Sequence, residues 1–216
     1  MSEIITISIS FMSGNCYLIK KDDNYILVDT SLKSKRKKLQ KKLLDLGCTV
    51  GKLKLIILTH GDFDHTGNAH YLKSIYNCPI AIHKEDSIVT EVGNMFINKT
   101  NNNKAIDLFT RIFMNIDRFR ADIIIEDDMS LKEFGINGQV LHLPGHSKGS
   151  VGILTDENDL ICGDLFENRK KPALYFIDDQ EAIDFSLKKL EQYEINNVYP
   201  GHGPCFKYSE LQIEKI

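Results

Sequence analysis

The chain opens with short β-type runs, the first alternating between apolar and polar residues and the next two largely apolar, and such runs predict β-strands. Three such runs cover residues 4–11, 16–20 and 25–28. Turn-forming polar residues separate them at 13–15 and 22–24. The first part of the chain is therefore expected to form a set of short strands.

Helical spacing replaces this pattern over residues 33–46, where Leu39, Leu43 and Leu46 fall on one face with Leu32 just before them, and Gly47 is suited to end the helix. Beyond this helix the pattern predicts a strand at 53–59, a helix at 67–76, strands at 80–83, 123–125, 131–134, 139–143, 151–154 and 160–162, a helix at 180–193 and a last strand at 197–199. The alternation of strands and helices predicts an α/β protein.

The middle of the chain is less regular. Residues 98–103 form a polar stretch, and apolar residues at helical spacing predict a helix over residues 105–119. Because no low-complexity linker interrupts the chain, we predict one domain over residues 1–216. Within it, residues 86–121 are expected to act as a lid, a specificity segment or a dimer contact. The alternative is that they simply pack on the sheet.

Composition restricts the classes of function. The 216 residues are 42% hydrophobic and 26% charged with a net charge of −3, so no strongly basic surface indicates nucleic acid or an anionic membrane as a partner. No apolar run approaches the roughly 20 residues that span a bilayer. The N-terminus lacks the features of a signal peptide, and the five cysteines contain no Cys-x-x-Cys pair. A cytoplasmic protein with a small-molecule substrate is expected.

The run from His60 to His65 contains four candidate metal ligands within six residues, namely His60, Asp62, Asp64 and His65. The alternative is a solvated polar loop. A buried cluster of this kind without a metal ion would leave carboxylates uncompensated at a high desolvation cost. The run directly follows a predicted strand, which is where a rigid sheet displays functional side chains.

Three later residues repeat this setting, because each lies beside glycine at the end of a predicted strand. They are His146 in Pro-Gly-His-Ser, Asp164 in Gly-Asp-Leu-Phe and His202 in Pro-Gly-His-Gly. Each alone is more typical of a turn. Together with the first run, they indicate a metal site assembled from several strand ends.

In these motifs the chain resembles the metallo-β-lactamase-fold superfamily over nearly its whole length. The resemblance implies a four-layer αββα sandwich of two mixed β-sheets with a two-metal site along their shared edge. It implies that one metal ion binds His60, Asp62 and His146, that the other binds Asp64, His65 and His202, and that Asp164 bridges both. Asp29 matches an early structural aspartate of the family, and we expect it to orient a ligand histidine.

Asp62 departs from the family's pattern, which has histidine at this position. With two divalent ions, three aspartates and a hydroxide the site is neutral, whereas histidine at position 62 would leave one positive charge. We predict zinc as the metal, because zinc also accepts aspartate as a ligand. Asp62 makes iron or manganese possible, because carboxylates suit harder ions.

Two metal ions about 3.5–4 Å apart lower the pKa of a shared water from 15.7 towards about 7. We therefore expect a hydrolase acting on a small ester, thioester or lactone, with Asp64 as the catalytic residue that orients the attacking group. A phosphodiester is the rival substrate. The alternative function is an iron-dependent redox enzyme, resembling flavodiiron proteins or sulfur dioxygenases, on the same fold. Aspartate rather than cysteine at position 164 disfavours a true β-lactamase.

Other polar residues are given structural roles. His70, His83 and His142 lie outside the motifs and are expected to pack in the fold. The lysines of the 33–46 helix are expected to form a solvated surface. The basic cluster at 169–171 is either a surface loop or a binding site for a substrate anion, and a homodimer remains an open possibility.

Overall fold

The N-terminal half of the protein folds into a six-stranded sheet whose strands lie in chain order. Strands β1 to β3 are antiparallel, and β4 to β6 continue parallel to β3. The strands are β1 (Glu3–Ile7), β2 (Cys16–Lys21), β3 (Asn24–Val28), β4 (Leu53–Ile57), β5 (Ile80–His83) and β6 (Ile123–Ile125). The structure is a computed structural model that describes residues 2–10, 13–99, 116–167, 171–172 and 177–211.

A second six-stranded sheet follows, in the order β14-β13-β10-β9-β8-β7. Only β10 and β13 are parallel neighbours in it; the other pairs are antiparallel. Its strands are β7 (Met129–Ser130), β8 (Gly138–His142), β9 (Val151–Thr155), β10 (Asp159–Gly163), β13 (Asn197–Pro200) and β14 (Phe206–Lys207), while β11 (Phe166–Glu167) and β12 (Lys171–Pro172) form a separate hairpin.

Helices connect the parallel strands, as a parallel pair requires. They are α1 (Arg36–Asp45), α2 (Phe63–Thr66), α3 (Ala69–Tyr76), α4 (Lys84–Val92) and α5 (Gln180–Leu190), with short 3-10 helices at Lys33–Lys35, Lys132–Phe134 and Tyr208–Glu210. Helix α3 ends at Asn77 and α4 at Gly93, both with positive φ, the conformation that closes a helix C-terminus. Among the described helices none is both long enough and apolar enough to span a bilayer.

Residues of the central strands are buried on both faces of each sheet. One hydrophobic core lies between the two sheets, and one lies on the outer face of each sheet. Leu27 and Ile56 pack with the leucines of α1 and α3, whereas Ile26 and Val28 face the second sheet. The outer face of the second sheet packs against α5 through Leu187 and its neighbours. The predicted α/β class and four-layer αββα sandwich are confirmed. Each fully buried leucine or isoleucine contributes about 1.5–3 kcal/mol to this packing.

One local prediction is wrong, and two short helices were not predicted. The strand predicted at 131–134 is wrong: Lys132–Phe134 is a 3-10 helix, which Gly135 ends with a φ of 80°. The helix predicted at 67–76 is preceded by α2, so that Asp64 lies in a helical turn. Helix α4 was not predicted. Apolar spacing is ambiguous over such short segments, and turn geometry and tertiary packing decide them.

The segment predicted as a lid or packing element is described only in part. Residues 86–99 contain α4 and a turn, and residues 116–121 are irregular, with Ile116 and Phe119 largely buried. The polar stretch at 98–103 and the helix predicted over 105–119 lie mostly outside the described residues, as do residues 169 and 170 of the basic cluster.

Candidate metal centre

The predicted ligands meet at one edge of the two sheets. Asp164 directly follows β10, His60 lies three residues after the end of β4, and His202 lies two residues after β13, which runs parallel to β10. Helix α2 carries Asp64 and His65. His146 lies in the loop between β8 and β9, which the third hydrophobic core holds in place.

A first group of side chains consists of His60, His146 and Asp164, whose nearest donor atoms all lie within 4.8 Å of one another. Oδ2 of Asp164 lies 3.9 Å from Nε2 of His60 and 3.8 Å from Nε2 of His146. The two imidazole rings are steeply inclined, with centroids 4.7 Å apart. Three side chains with this spacing can bind one metal ion.

A second group consists of Asp64, His65 and His202 and satisfies the same 4.8 Å criterion. Oδ2 of Asp64 lies 3.2 Å from Nε2 of His202 and 3.7 Å from Nε2 of His65. Asp164 also approaches this group, with 3.5 Å from its Oδ1 to Nε2 of His65 and from its Oδ2 to Nε2 of His202. Asp164 is thus placed between the two groups.

Asp62 takes a position that the sequence did not reveal. Its Oδ2 lies 3.2 Å from Nε2 of His146 and 3.8 Å from Nε2 of His60, but it also accepts a hydrogen bond of 2.9 Å from Nζ of Lys99. The two side chains are only 8% and 5% exposed. Asp62 is outside both groups as defined by mutual distance, and its assignment as a ligand stays a prediction.

Unpaired polar atoms at the centre test whether these residues fit a metal ion. Within the described part of the chain, Nε2 of His60, Nε2 of His65 and Oδ1 of Asp164 are buried without a hydrogen-bond partner. Buried polar atoms are rarely left unpaired, because each costs about 1–3 kcal/mol. All three are ligand atoms of the kind that zinc, iron or manganese binds, so the residues fit the predicted ions.

Asp29 sets the orientation of two histidines, one in each group. Its carboxylate accepts hydrogen bonds from Nδ1 of His65 at 2.8 Å and from the hydroxyl of Thr59 at 2.7 Å. Since the single hydroxyl proton of Thr59 is donated to Asp29, its oxygen can only accept from Nδ1 of His60, at 3.0 Å. Both rings are therefore protonated on Nδ1 and present Nε2 to the centre.

The backbone of Asp29 is itself unusual, with a φ of 60°. Aspartate tolerates this left-handed conformation better than most residues, but it still carries strain. The backbone N–H of Asp29 donates to the carbonyl of Ile57, and its side chain accepts from the N–H of Thr59. These contacts to the end of β4 stabilise the conformation.

Asp86 was not singled out from the sequence, yet it joins the two loops of the first group. Its carboxylate accepts hydrogen bonds from the N–H groups of Gly61 at 2.9 Å and Gly149 at 3.0 Å, and from the hydroxyl of Ser147 at 2.6 Å. Gly61 follows His60, and Ser147 follows His146. Burial raises the pKa of the Asp86 carboxyl group, although these hydrogen bonds act in the opposite direction.

Proton affinities show that the centre attracts positive charge. Burial lowers the pKa of His65, but the surrounding carboxylates, led by Asp164, outweigh it and hold the pKa well above the usual range. Burial also lowers the pKa of His202, but its contacts with Asp164 and Asp64 outweigh burial and raise the pKa to about 9. At His60, burial and then the neighbouring rings hold the pKa well below its usual value. A metal ion bound by the second group would therefore displace protons.

Glycine makes room for the centre at Gly14 and Gly201. A Cβ on Gly201 would lie 1.9 Å from Oδ1 of Asp164, and one on Gly14 would lie 2.6 Å from the ring of His65. Any side chain at either position would displace these two candidate ligands.

An open cavity of about 850 Å³ lies beside His202. Its wall combines apolar surface, including Ile9 and Pro204, with the exposed thiol of Cys205 and with hydroxyl and amide groups; the polar residues are Thr6, Ser8, Ser10, Ser13 and Asn15. The cavity borders the second group at His202.

The residues given structural roles lie elsewhere. His83 stacks on His142 with ring centroids 4.1 Å apart, and Nε2 of His142 contacts the carbonyl of Lys148. His70 stacks on Phe119. None of these three histidines is in either group.

Comparison with known proteins gives the same assignment for the whole fold. The family model described as the metallo-beta-lactamase superfamily matches residues 9–202. A probable metallo-hydrolase of Methanocaldococcus jannaschii is 28% identical over 93% of this chain and 95% of its own length. A protein of Haemophilus influenzae named hydroxyacylglutathione hydrolase GloC is 30% identical, covering 97% of this chain and 93% of that protein.

Solved structures agree. The B3 metallo-beta-lactamase BLEG-1 superposes with a TM-score of 0.78 over 96% of this chain and 95% of its own, at 21% identity, which supports the fold alone. TTHA1623 in a di-iron-bound form superposes with a TM-score of 0.73 over 95% of both chains, at 28% identity. The chain belongs to the metallo-beta-lactamase superfamily.

Proposed function

We propose that this protein is a dinuclear metal-dependent hydrolase that acts on a small ester, thioester or lactone. The observation that carries the proposal is the pair of ligand groups with Asp164 between them, together with the unpaired atoms of His60, His65 and Asp164. His60, His146 and Asp164 would hold one ion, with Asp62 beside them. Asp64, His65 and His202 would hold the other, sharing Asp164.

When bound, two divalent ions supply Lewis acidity and lower the pKa of a shared water. The protein's own residues supply the remaining functions. Asp29 fixes the tautomers of His60 and His65, so that each ring offers its Nε2 lone pair. Asp64, 13% exposed at the side chain, is open enough to accept a proton from a water and to orient it towards a substrate carbonyl.

The thioester class is our first choice of substrate. The Haemophilus influenzae relative is named for the hydrolysis of a hydroxyacylglutathione, which is a thioester. The cavity beside His202 combines apolar surface with neutral hydrogen-bonding groups, which suits a small acyl group. A phosphodiester remains the rival substrate within hydrolysis.

A small-molecule substrate and a cytoplasmic location belong to the same proposal. With a net charge of −3 the chain as a whole carries no positive excess that would favour nucleic acid, and all five cysteines are free, as expected in a reducing compartment. We keep one domain over residues 1–216 as the proposed unit and leave its oligomeric state, including a homodimer, to measurement.

An iron-dependent redox enzyme is the second candidate. TTHA1623, at 28% identity, has a structure in a di-iron-bound form, and Asp62 adds a hard carboxylate next to the first group. Zinc is nevertheless our first choice, because it binds histidine and aspartate equally well.

The test combines metal analysis of the full-length protein with a screen of thioesters, esters, lactones and phosphodiesters. We expect two metal ions per chain and hydrolysis of a carbonyl substrate. Asp64→Asn should lower kcat by more than the roughly 100-fold that an outer contact can cost. Asp45→Asn, at an exposed position of α1, should leave kcat unchanged. Bound iron with oxygen-dependent turnover and no hydrolysis would establish the second candidate instead, and absence of bound metal would exclude both.

A further inference from the structure

A buried ion pair lies directly beside the first group. Nζ of Lys99 is 2.9 Å from Oδ2 of Asp62, and the same oxygen is 3.2 Å from Nε2 of His146. The ammonium group of Lys99 and the ring of His146 therefore share one carboxylate oxygen of Asp62. A positive charge thus already binds the carboxylate that a metal ion held by His146 would also use.

The fold holds Lys99 in this place. Its Nζ lies 5.9 Å from the centre of the Phe96 ring, and Phe96 packs with Val89 and Met95 in a small separate core. The neighbouring side chain of Asn98 donates hydrogen bonds to Asp86 and to the carbonyl of Glu85. The turn that carries Lys99 is thereby attached to α4.

The two groups therefore differ in fixed charge. Asp164 is common to both. Beyond it, the second group has the carboxylate of Asp64, and that of Asp29 behind His65, and among the described residues no lysine or arginine forms an ion pair with either. The first group has Asp86 behind its two loops and Asp62 at the ligand position, and Lys99 already neutralises the charge of Asp62. A divalent ion is consequently attracted more strongly to the second group.

We propose that Lys99 is a built-in cation that competes with a metal ion at the first group, so that the second group fills first and more tightly. The inference rests on the proposed two-metal function. It assigns to Lys99 a positioning role: the ammonium holds Asp62 in place when the first group has no metal, and it lowers the affinity of that group for a divalent ion. Buried charges require such a partner, because an unpaired one is strongly destabilising.

The experiment is a calorimetric titration of the metal-freed, full-length protein with zinc, checked by elemental analysis of metal per chain. We expect two separate binding steps. Lys99→Gln keeps a hydrogen-bond donor for Asp62 but removes the charge, so the weaker step should become at least about tenfold tighter, with the tighter step unchanged. Lys99→Arg keeps the charge and should retain the weak step.

Controls separate this inference from the proposed function. Lys41→Gln, which breaks the exposed pair with Asp45, should change neither step. Lys99→Met serves as a second neutral variant if thermal unfolding shows that Lys99→Gln does not fold, and the same tightening is expected. Two equal steps in the native protein, or a weak step that neither neutral variant tightens, would overturn the role of Lys99 while leaving the two-metal function intact. A protein that binds no zinc, iron or manganese would overturn the function itself.

Discussion

The two ligand groups share Asp164 but are built by different means. The second group is formed by Asp64 and His65, which are neighbours in α2, and by His202 at a strand end, and a direct contact from Asp29 orients it. The first group draws its histidines from two distant loops, and Asp86 holds those loops together from behind. The comparison shows that one metal position takes two of its candidate ligands from a single helical turn, whereas the other takes its histidines from two loops far apart in sequence.

Among the substitutions, Asp29→Asn is expected to produce the largest difference in metal affinity between the two groups. An asparagine amide cannot accept all three hydrogen bonds, so it disturbs the tautomer of His65 directly and that of His60 only through Thr59. We expect metal affinity to fall by about 10–100-fold, with the larger loss at the second group. Competition with a chromophoric chelator measures both steps.

Asp45→Asn on the exposed face of α1 is the matched control, since it makes the same chemical change away from the centre. Equal losses at both groups would contradict the direct and indirect roles of Asp29. Unchanged affinity at both groups would show that the tautomers are fixed by other contacts.

A smaller effect, confined to the first group, is expected from Asp86→Asn. The new amide would place a donor against the N–H of Gly61 or Gly149 and leave at least one buried donor unpaired. We expect the free energy of unfolding to fall by about 1–3 kcal/mol and the weaker metal step to weaken further. Urea unfolding and the same chelator competition measure these changes, with Asp184→Asn on the exposed face of α5 as the control. A loss at the second group alone would contradict the role of Asp86.

The smallest effect concerns pH. Burial, and then the neighbouring ring of His142, lower the pKa of His83 to about 4, from an ordinary value near 6.5. Because the folded protein favours the neutral ring, the stability that His83 contributes is complete above about pH 6.5 and is lost as the pH falls towards 4. We expect about 1–2 kcal/mol over this range.

His83 also accepts a hydrogen bond from the N–H of Glu85 at the start of α4, the helix that carries Asp86. Acid should therefore weaken the first group before it unfolds the protein. His83→Asn keeps an acceptor for the helix cap and should flatten the pH dependence of the unfolding free energy between pH 6.5 and 4. As a control, His70→Asn at an exposed position should leave this pH dependence unchanged. A native protein whose unfolding free energy does not change between pH 6.5 and 4 would exclude the role of His83.

The family and most of the strands could be predicted because their signals are local. Short apolar runs mark β2, β3 and β4, and His60, His146, Asp164 and His202 each stand beside a glycine shortly after a strand. Strand ends at a shared sheet edge then bring the residues together almost unavoidably. The errors fell on short segments such as Lys132–Phe134, where spacing is ambiguous and a glycine with positive φ decides the conformation.

By itself, therefore, the sequence indicated most of the strands and the candidate ligands, and its resemblance to the family implied the layer order. The tertiary structure alone decided how they are supported: that Asp29 reaches both Thr59 and His65, that Asp86 joins two loops, and that Lys99 neutralises Asp62. Lys99 and Asp62 are 37 positions apart, and no periodic pattern connects them. Such pairs form because burial makes an unpaired charge costly, and burial is a property of the folded chain rather than of any segment.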